Sequence, residues 1–151
     1  MRIDPVLRKL ELADMDAAAL VLRIAFDRAL PWLAGLHTPK EDRWFFRERV
    51  FKSCEVWGAF ENTAMIGVIA FREDWIDQLY VLPPAQGQGV GTGLLQIAKC
   101  AFASLQLWTF QRNLQARRFY EARHFVLVKE TDGTSNEEKE PDARYLWITP
   151  A

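Results

Sequence analysis

The chain has eight glycines in 151 residues, and four of them, Gly87, Gly89, Gly91 and Gly93, alternate within one short window. That window reads Gln86-Gly87-Gln88-Gly89-Val90-Gly91-Thr92-Gly93. An apolar run ending at Leu82 precedes it. Leu94, Leu95, Ile97, Ala98, Ala101 and Phe102 follow at helical spacing. A helix N-terminus presents about four N–H groups without intrahelical partners. Glycines let the backbone close on an anion and reach positive φ. The pattern therefore points to a cradle for phosphate or pyrophosphate. A P-loop would need a lysine directly after its last glycine, and here the first lysine after the window is Lys99. A Rossmann G-x-G-x-x-G fails in both registers, because the sixth position is Thr92 or Leu94. A turn that merely packed a helix onto a sheet would gain little from glycines costing about 0.5–1 kcal/mol each relative to alanine inside an element.

Other chemistries have less support. The two histidines, His37 and His124, lack ligand partners at short spacing, so no metal is expected. Cys54 and Cys100 are too few for a disulfide framework or a zinc ribbon and read as buried small apolar side chains. There is no G-x-S-x-G elbow. Nineteen Lys plus Arg against twenty Asp plus Glu leave a formal charge of -1, which argues against a nucleic-acid coat or a polybasic membrane binder. No apolar run approaches the roughly 18 residues of a membrane span. The segment MRIDPVLRKLELAD lacks a signal peptide's apolar core, so the expectation is a cytoplasmic protein with reduced thiols.

The elements that must position the window follow from periodicity. Val6 to Leu12 partly alternates and predicts a first strand, with Asp14 as the N-cap of a helix carrying Ala17, Leu20, Val21, Ile24 and Ala25. Pro31, Gly35 and Pro39 predict a loop over roughly 28–39. A second helix is expected over 40–52, with Trp44, Phe45 and Val50 among its apolar positions. Strands are predicted at 55–61, 64–72 and 75–82, joined by hairpin turns at Glu61-Asn62-Thr63 and Glu73-Asp74. Pro83-Pro84 ends the third. A helix over 89–104, a strand at Leu105–Phe110, a helix over 113–123, a strand from Phe125, an acidic loop at 131–142 and a last strand from Arg144 complete the chain. The order β-α-α-β-β-β-α-β-α-β-β is α+β with a partly antiparallel sheet, in a single domain over 1–151.

Two blocks carry a family resemblance. Gln86-x-x-Gly89-x-Gly91 matches the Q/R-x-x-G-x-G/A signature of the GCN5-related N-acetyltransferase (GNAT) superfamily. The run Leu79 to Gly91 resembles that family's strand 4 to helix 3 segment. Downstream, Asn113-Leu114-Gln115-Ala116-Arg117-Arg118-Phe119-Tyr120-Glu121 resembles its N-x-x-A-x-x-F-Y-E segment. The two lie one helix and one strand apart, as in the family. The specific motifs cover about 75–125, whereas the element order fits from end to end.

The resemblance implies the acyl-CoA N-acyltransferase fold, a mixed, mostly antiparallel sheet of about seven strands flanked by about four helices. It implies acetyl-CoA as cosubstrate, without a metal. Backbone N–H groups of Gln86, Gly87, Gln88, Gly89, Val90, Gly91 and Thr92 would hold the pyrophosphate. Leu79, Tyr80 and Val81 would pair with the pantetheine arm, a strand N–H near Val81 polarising the thioester carbonyl. Asn113 would contact the pantetheine, and Tyr120 would be the general acid for the departing thiolate. Some members carry a glutamate five residues before the asparagine; this chain has Trp108 there. Others use an acid on strand 4, for which Asp77 is the nearest candidate and Glu73 the next. Simple alternation puts Asp77 and Leu79 on one sheet face. A water chain, or an already neutral amine, would need no base. The loop between the first two helices brings Trp32 and His37 as candidate acceptor-site residues; the bland alternative is a loop-pinning Trp32 and an exposed His37. The acidic loop with Glu137, Glu138, Glu140 and Asp142 is expected to be solvated, or to attract a cationic amine. Arg112, Arg117, Arg118 and Arg123 are candidates for the 3′-phosphate, or form a plain surface. His124, where relatives have glycine, predicts mild strain at a helix end.

The implied activity is acetyl transfer to a small primary amine by direct attack. A protein N-terminus or lysine is the alternative acceptor, and a non-catalytic acyl-CoA sensor is the alternative of another class. No nucleic-acid or membrane partner is expected. Dimers are common in the family, so a homodimer is a candidate state.

Overall fold

The computed structural model describes residues 2–151. Seven strands form one sheet: β1 (Val6–Lys9), β2 (Glu55–Glu61), β3 (Ala64–Arg72), β4 (Trp75–Val81), β5 (Ser104–Phe110), β6 (Val126–Thr131) and β7 (Asp142–Ile148). Their order across the sheet is β1-β2-β3-β4-β5-β7-β6. Every neighbouring pair is antiparallel except β4 and β5, which run parallel. Helices α1 (Met15–Ala29), α2 (Pro39–Phe45), α3 (Phe51–Ser53), α4 (Val90–Ala101) and α5 (Leu114–Ala122) complete the α+β architecture, with a π-helical stretch at Phe46–Val50 joining α2 to α3.

The two sheet faces bury separate cores. Helix α1 and the α2–α3 arm lay Met15, Val21, Phe46 and Val50 against Val56 and Val68. Helices α4 and α5 cover the other face, where Leu94, Leu95 and Tyr120 meet Ile69, Leu107 and Tyr145. Each leucine so buried contributes about 1.5–3 kcal/mol relative to an exposed one. Every residue of β3 between its two ends is buried, because helices cover this strand on both faces.

Several local expectations needed correction. Strand β1 stops at Lys9, and Leu10 turns into the core. Asp14 does not cap α1 with its side chain. Its carboxylate instead accepts the Glu11 N–H at 2.8 Å and a two-pronged contact from Arg8 at 3.0 Å. Trp44 and Phe45 are exposed, while Phe46 and Val50 fill the core. The π-helical stretch widens the turn and shifts the inward face by about one residue, which a 3.6-residue period does not anticipate. Cys100 is exposed and Cys54 half-buried, so neither is a core side chain.

The hairpin turns fall where expected, with Asn62 at φ 57° and Glu73 at φ 51°. His124 at φ 72° is the left-handed residue that ends α5. Its N–H donates to the Glu121 carbonyl at 3.2 Å, and the Phe125 N–H donates to Tyr120 at 3.1 Å. Those two bonds complete a Schellman cap with histidine in the usual glycine position.

The acidic loop between β6 and β7 is anchored rather than simply solvated. Glu140 is buried. It accepts two bonds from Arg112, both at 2.7 Å, and one from the Trp32 indole at 3.1 Å. The Arg112 guanidinium lies 4.1 Å from the Trp32 ring centroid. His37 contacts Glu137. The loop after α1 is thereby strapped to the loop before β7.

Two outcomes are expected. His124→Gly should raise unfolding stability by about 0.5–1 kcal/mol in urea titrations, because glycine adopts the cap without a Cβ penalty. Glu140→Gln should lower the melting temperature and open the 132–141 loop to protease. Arg112 holds the Glu140 carboxyl below its ordinary value of 4.5. A lowered carboxyl stabilises the fold above that ordinary value and loses its contribution as acid protonates it. The gap between wild type and variant should therefore be full well above pH 4.5 and close as the pH falls through the lowered range of the folded carboxyl.

Candidate active site

Strands β4 and β5 meet at a single paired position, Trp75 with Gln106, and then diverge. On its other edge, β4 pairs with β3 through a bulge: Gln78 faces Ala70 and Ile76 faces Phe71, which leaves Asp77 as the extra residue. A bulge bends its strand and increases its twist. The divergence opens a groove of about 230 Å³. Its walls are Asp77 to Val81 on β4, Leu107 to Phe110 on β5, the C-terminal part of α1 and the first turns of α5.

The walls carry unused backbone groups. The Leu82 N–H donates to the Ile66 carbonyl of β3 at 2.9 Å. Alternation along a strand then turns the amide groups of Leu79 and Val81 away from β3 and towards the gap. No β5 residue pairs with them. The Val81 carbonyl is met by the Gln86 side-chain amide at 2.8 Å, and the Gln86 carbonyl oxygen accepts from Gln115 at 2.9 Å. Gln86 thus ties the glycine loop to both walls. That tie gives a physical reason for a glutamine at this position.

Gly87 and Gly89 both have positive φ, 74° and 89°. Gly89 is the residue before α4, and a Cβ there would lie 2.5 Å from an Arg2 guanidinium nitrogen. The chain start crosses the loop, with the Ile3 N–H donating to the Gln88 carbonyl at 3.2 Å. Gly91 admits the Phe119 ring, which a Cβ would approach to 3.1 Å, so α4 and α5 pack closely. Gln86, Gly87 and Gly91 line the groove, whereas Gln88, Gly89, Val90 and Thr92 do not. Val90 is buried, and the Thr92 hydroxyl accepts twice from Arg123, at 2.7 and 3.0 Å. The loop and the dipole of α4 suit a pyrophosphate, and the free amides of β4 suit an extended amide-bearing arm. The residues present therefore fit acetyl-CoA.

Tyr120 sits in an aromatic stack, edge-on to Phe119 at 5.2 Å and to Phe125 at 5.4 Å, and forms part of the groove wall. Burial, with a smaller contribution from Tyr80, holds its phenol well above the ordinary value, so it stays protonated and able to donate. Tyr80 lines the groove as well and is pushed up to about 12, chiefly by burial. Asn113 caps α5, its side-chain oxygen accepting the Ala116 N–H at 3.1 Å, and its amide nitrogen takes no part in that cap.

Asp77 reaches the groove but does not share a face with Leu79. Leu79 packs on the α4–α5 core, whereas Asp77 accepts from Arg72 at 2.7 Å and from Cys54, which packs on the α1–α2 core. The bulge breaks the alternation. Both contacts fall on Oδ2, leaving Oδ1 to take a proton. Trp32 and His37 do not line the groove; they serve the loop strap. Of the basic cluster, Arg112 binds Glu140, Arg117 binds Tyr145 and Glu130, and Arg123 binds Thr92. Sequence reasoning missed Phe26, which stacks edge-on against Phe110 at 6.3 Å within the groove wall. It also missed Arg2. Neither carries a local motif that could have revealed it.

Residues 22–125 match the family model described as Acetyltransferase (GNAT) family. The uncharacterized N-acetyltransferase YafP of Escherichia coli (strain K12) is 34% identical over 109 residues, covering 72% of this chain and 63% of that protein. The peptidyl-lysine N-acetyltransferase YiaC of the same organism is 26% identical over 83 residues, covering 54% of this chain and 57% of that protein. The chain thus spans less than two thirds of the length of either relative. In fold it resembles the Salmonella typhimurium acetyltransferase YncA, solved with its cofactor acetyl-CoA, at a TM-score of 0.71 and 15% identity, covering 99% of this chain and 96% of that one. The family model, the YafP match and the split sheet with its glycine loop agree: the chain belongs to the GNAT acetyltransferase family.

Proposed function

We propose that this protein is an acetyl-CoA-dependent N-acetyltransferase acting on a small primary amine by direct attack in a ternary complex. The observation that carries the reading is the split between β4 and β5. It gives a continuous groove from the glycine loop, past the free amides of Leu79 and Val81, to the Tyr120 phenol and the Asp77 carboxylate.

Acetyl-CoA supplies the activated acyl group. The α4 N-terminus and the amides of the glycine loop hold its pyrophosphate charge. The Leu79 and Val81 amides would hold the pantetheine arm of bound acetyl-CoA, and an N–H on this edge would stabilise the negative charge that grows on a thioester oxygen during attack. Asp77 Oδ1, directly or through water, takes the proton that the ammonium must lose. As the amine nitrogen bonds to the acyl carbon and the C–S bond breaks, the Tyr120 hydroxyl gives its proton to the leaving sulfur, and the second proton shed by the acylated nitrogen passes through water to restore the Tyr120 hydroxyl. Burial serves Tyr120 in this role, because a phenol that resists ionisation is fully protonated at neutral pH.

A lysine side chain of a peptide is the second reading, favoured by the similarity to YiaC, a peptidyl-lysine N-acetyltransferase. A groove that binds acyl-CoA without turnover is a third, favoured by Trp108 where some members carry an acid.

Free CoA at a hundred times its Kd should stabilise the protein by about 2.7 kcal/mol and raise the melting temperature. No shift would remove the cofactor assignment. Tyr120→Phe should lower kcat by about 10²-fold or more with little change in CoA affinity, measured as thiol release across an amine panel. Unchanged turnover would take Tyr120 out of the mechanism.

A further inference from the structure

A second cavity, of about 300 Å³, adjoins the groove and is lined by Arg72, Trp75, Ile76, Asp77 and Trp108. Ile76, Asp77 and Trp108 belong to both spaces, so the two are continuous at Asp77. Cavities of this size are at the small end of those that hold small molecules.

Strand alternation shows which face the cavity occupies. Leu105 and Leu107 point into the α4–α5 core, so Trp108 points to the opposite face, that of α1 and α2. Ile69 and Phe71 belong to the α4–α5 core, so Arg72 points away from it too. Asp77 is on the same side, as its contact with Cys54 shows. The glycine loop and Tyr120 approach the groove from α4 and α5. A cosubstrate laid along the glycine loop and β4 therefore leaves the Trp75–Trp108 side free for the second reactant.

Three properties of the cavity define what it can take. Two indole side chains, Trp75 and Trp108, form part of its otherwise mixed polar and apolar lining, and Trp108 is 45% exposed although it is a large aromatic on a central strand. Arg72 supplies a guanidinium and Asp77 a carboxylate at its rim. These two are bonded to each other at 2.7 Å, yet their side chains are 46% and 25% exposed. An ion pair this wet contributes little to stability and exchanges readily for equivalent partners. A molecule carrying one cation and one anion could replace both halves at once.

We propose that this cavity is the acceptor site and that it takes a free α-amino acid with a large apolar or aromatic side chain. The inference rests on the acetyltransferase reading and narrows it. The α-carboxylate takes the Arg72 guanidinium, whose fork suits a carboxylate. The α-ammonium takes Asp77, the residue that also faces the groove, so the nitrogen lies next to the thioester and its proton-acceptor. The side chain lies between Trp75 and Trp108. A polyamine fits poorly, because Arg72 repels its second charge. A peptide N-terminus has no α-carboxylate to offer Arg72.

The test compares L-phenylalanine with phenethylamine, which lacks only the carboxylate, and with L-alanine, which lacks the ring. Binding to the CoA-loaded protein is read by tryptophan fluorescence, and turnover by thiol release. L-Phenylalanine should bind and react with the lowest KM. Arg72→Ala should raise its KM by about 10-fold or more and leave that for phenethylamine nearly unchanged, and Arg72→Lys should restore part of the loss. Trp108→Ala should raise KM for L-phenylalanine but not for L-alanine. If Arg72 serves only to hold Asp77 in place, Arg72→Ala will depress both amines equally, which overturns the proposal. Preference for phenethylamine, a polyamine or a lysine peptide also overturns it. A CoA-induced melting shift without binding of L-phenylalanine sinks this inference alone. Absence of the CoA shift sinks the acetyltransferase reading.

Discussion

One missing strand pairing organises this protein. Parallel neighbours in a sheet normally share a ladder along their length, but β4 and β5 share one position and separate. Separation leaves backbone amides without partners, and an amide buried that way costs about 1–3 kcal/mol. The fold tolerates the gap because water or a ligand can reach it, and because the bulge at Asp77 bends β4 while its antiparallel pairing to β3 continues on both sides of that residue. The glycine loop, the Tyr120 stack and the Arg72–Asp77 rim are all placed relative to that gap.

The rest of the structure holds the gap open at a fixed width. Separate cores on the two faces clamp β3, so β4 has a rigid neighbour on one side. On the other side β5 is held by β7 along its whole length. Helix α5 is locked by its Asn113 cap, its Schellman end at His124 and the Arg117–Tyr145–Glu121 chain, in which the Tyr145 hydroxyl donates to Glu121 at 2.6 Å. Tyr120 therefore meets the groove from a helix fixed at both ends. Gln86 and Arg123 stitch the glycine loop and α4 to the same helix. The strap of Trp32, Arg112 and Glu140 joins three loops, those after α1, after β5 and before β7.

Much of this was legible from local pattern. The glycine window, the strand before it and the helix after it stand where periodicity put them, because turn chemistry and amphipathic spacing are properties of neighbouring residues. The hairpins at Asn62 and Glu73 and the strained His124 were legible for the same reason. Errors arose where the local period is interrupted. At the entry to the π-helical stretch Phe46 and Val50 face the core while Trp44 and Phe45 face outwards, and the bulge moved Asp77 off the face of Leu79. Trp32 and His37 took the loop-pinning alternative rather than the acceptor-site one, and the acidic loop was misjudged for a different reason. Trp32 and Glu140 are 108 positions apart, and nothing local tells that a buried carboxylate will meet an indole and a guanidinium.

Read alone, the sequence determined the order of elements, the family resemblance and the backbone chemistry of the glycine loop, since each rests on residues within a few positions of one another. Only the tertiary structure decided that β4 and β5 part after one pair, that Asp77 joins the groove to the Trp75–Trp108 cavity, and that Arg72 shares that rim. Those facts depend on where strands distant in the chain come to lie. A parallel pair leaves no hairpin in the sequence to announce it, and a bulge is one residue's departure from an otherwise regular alternation.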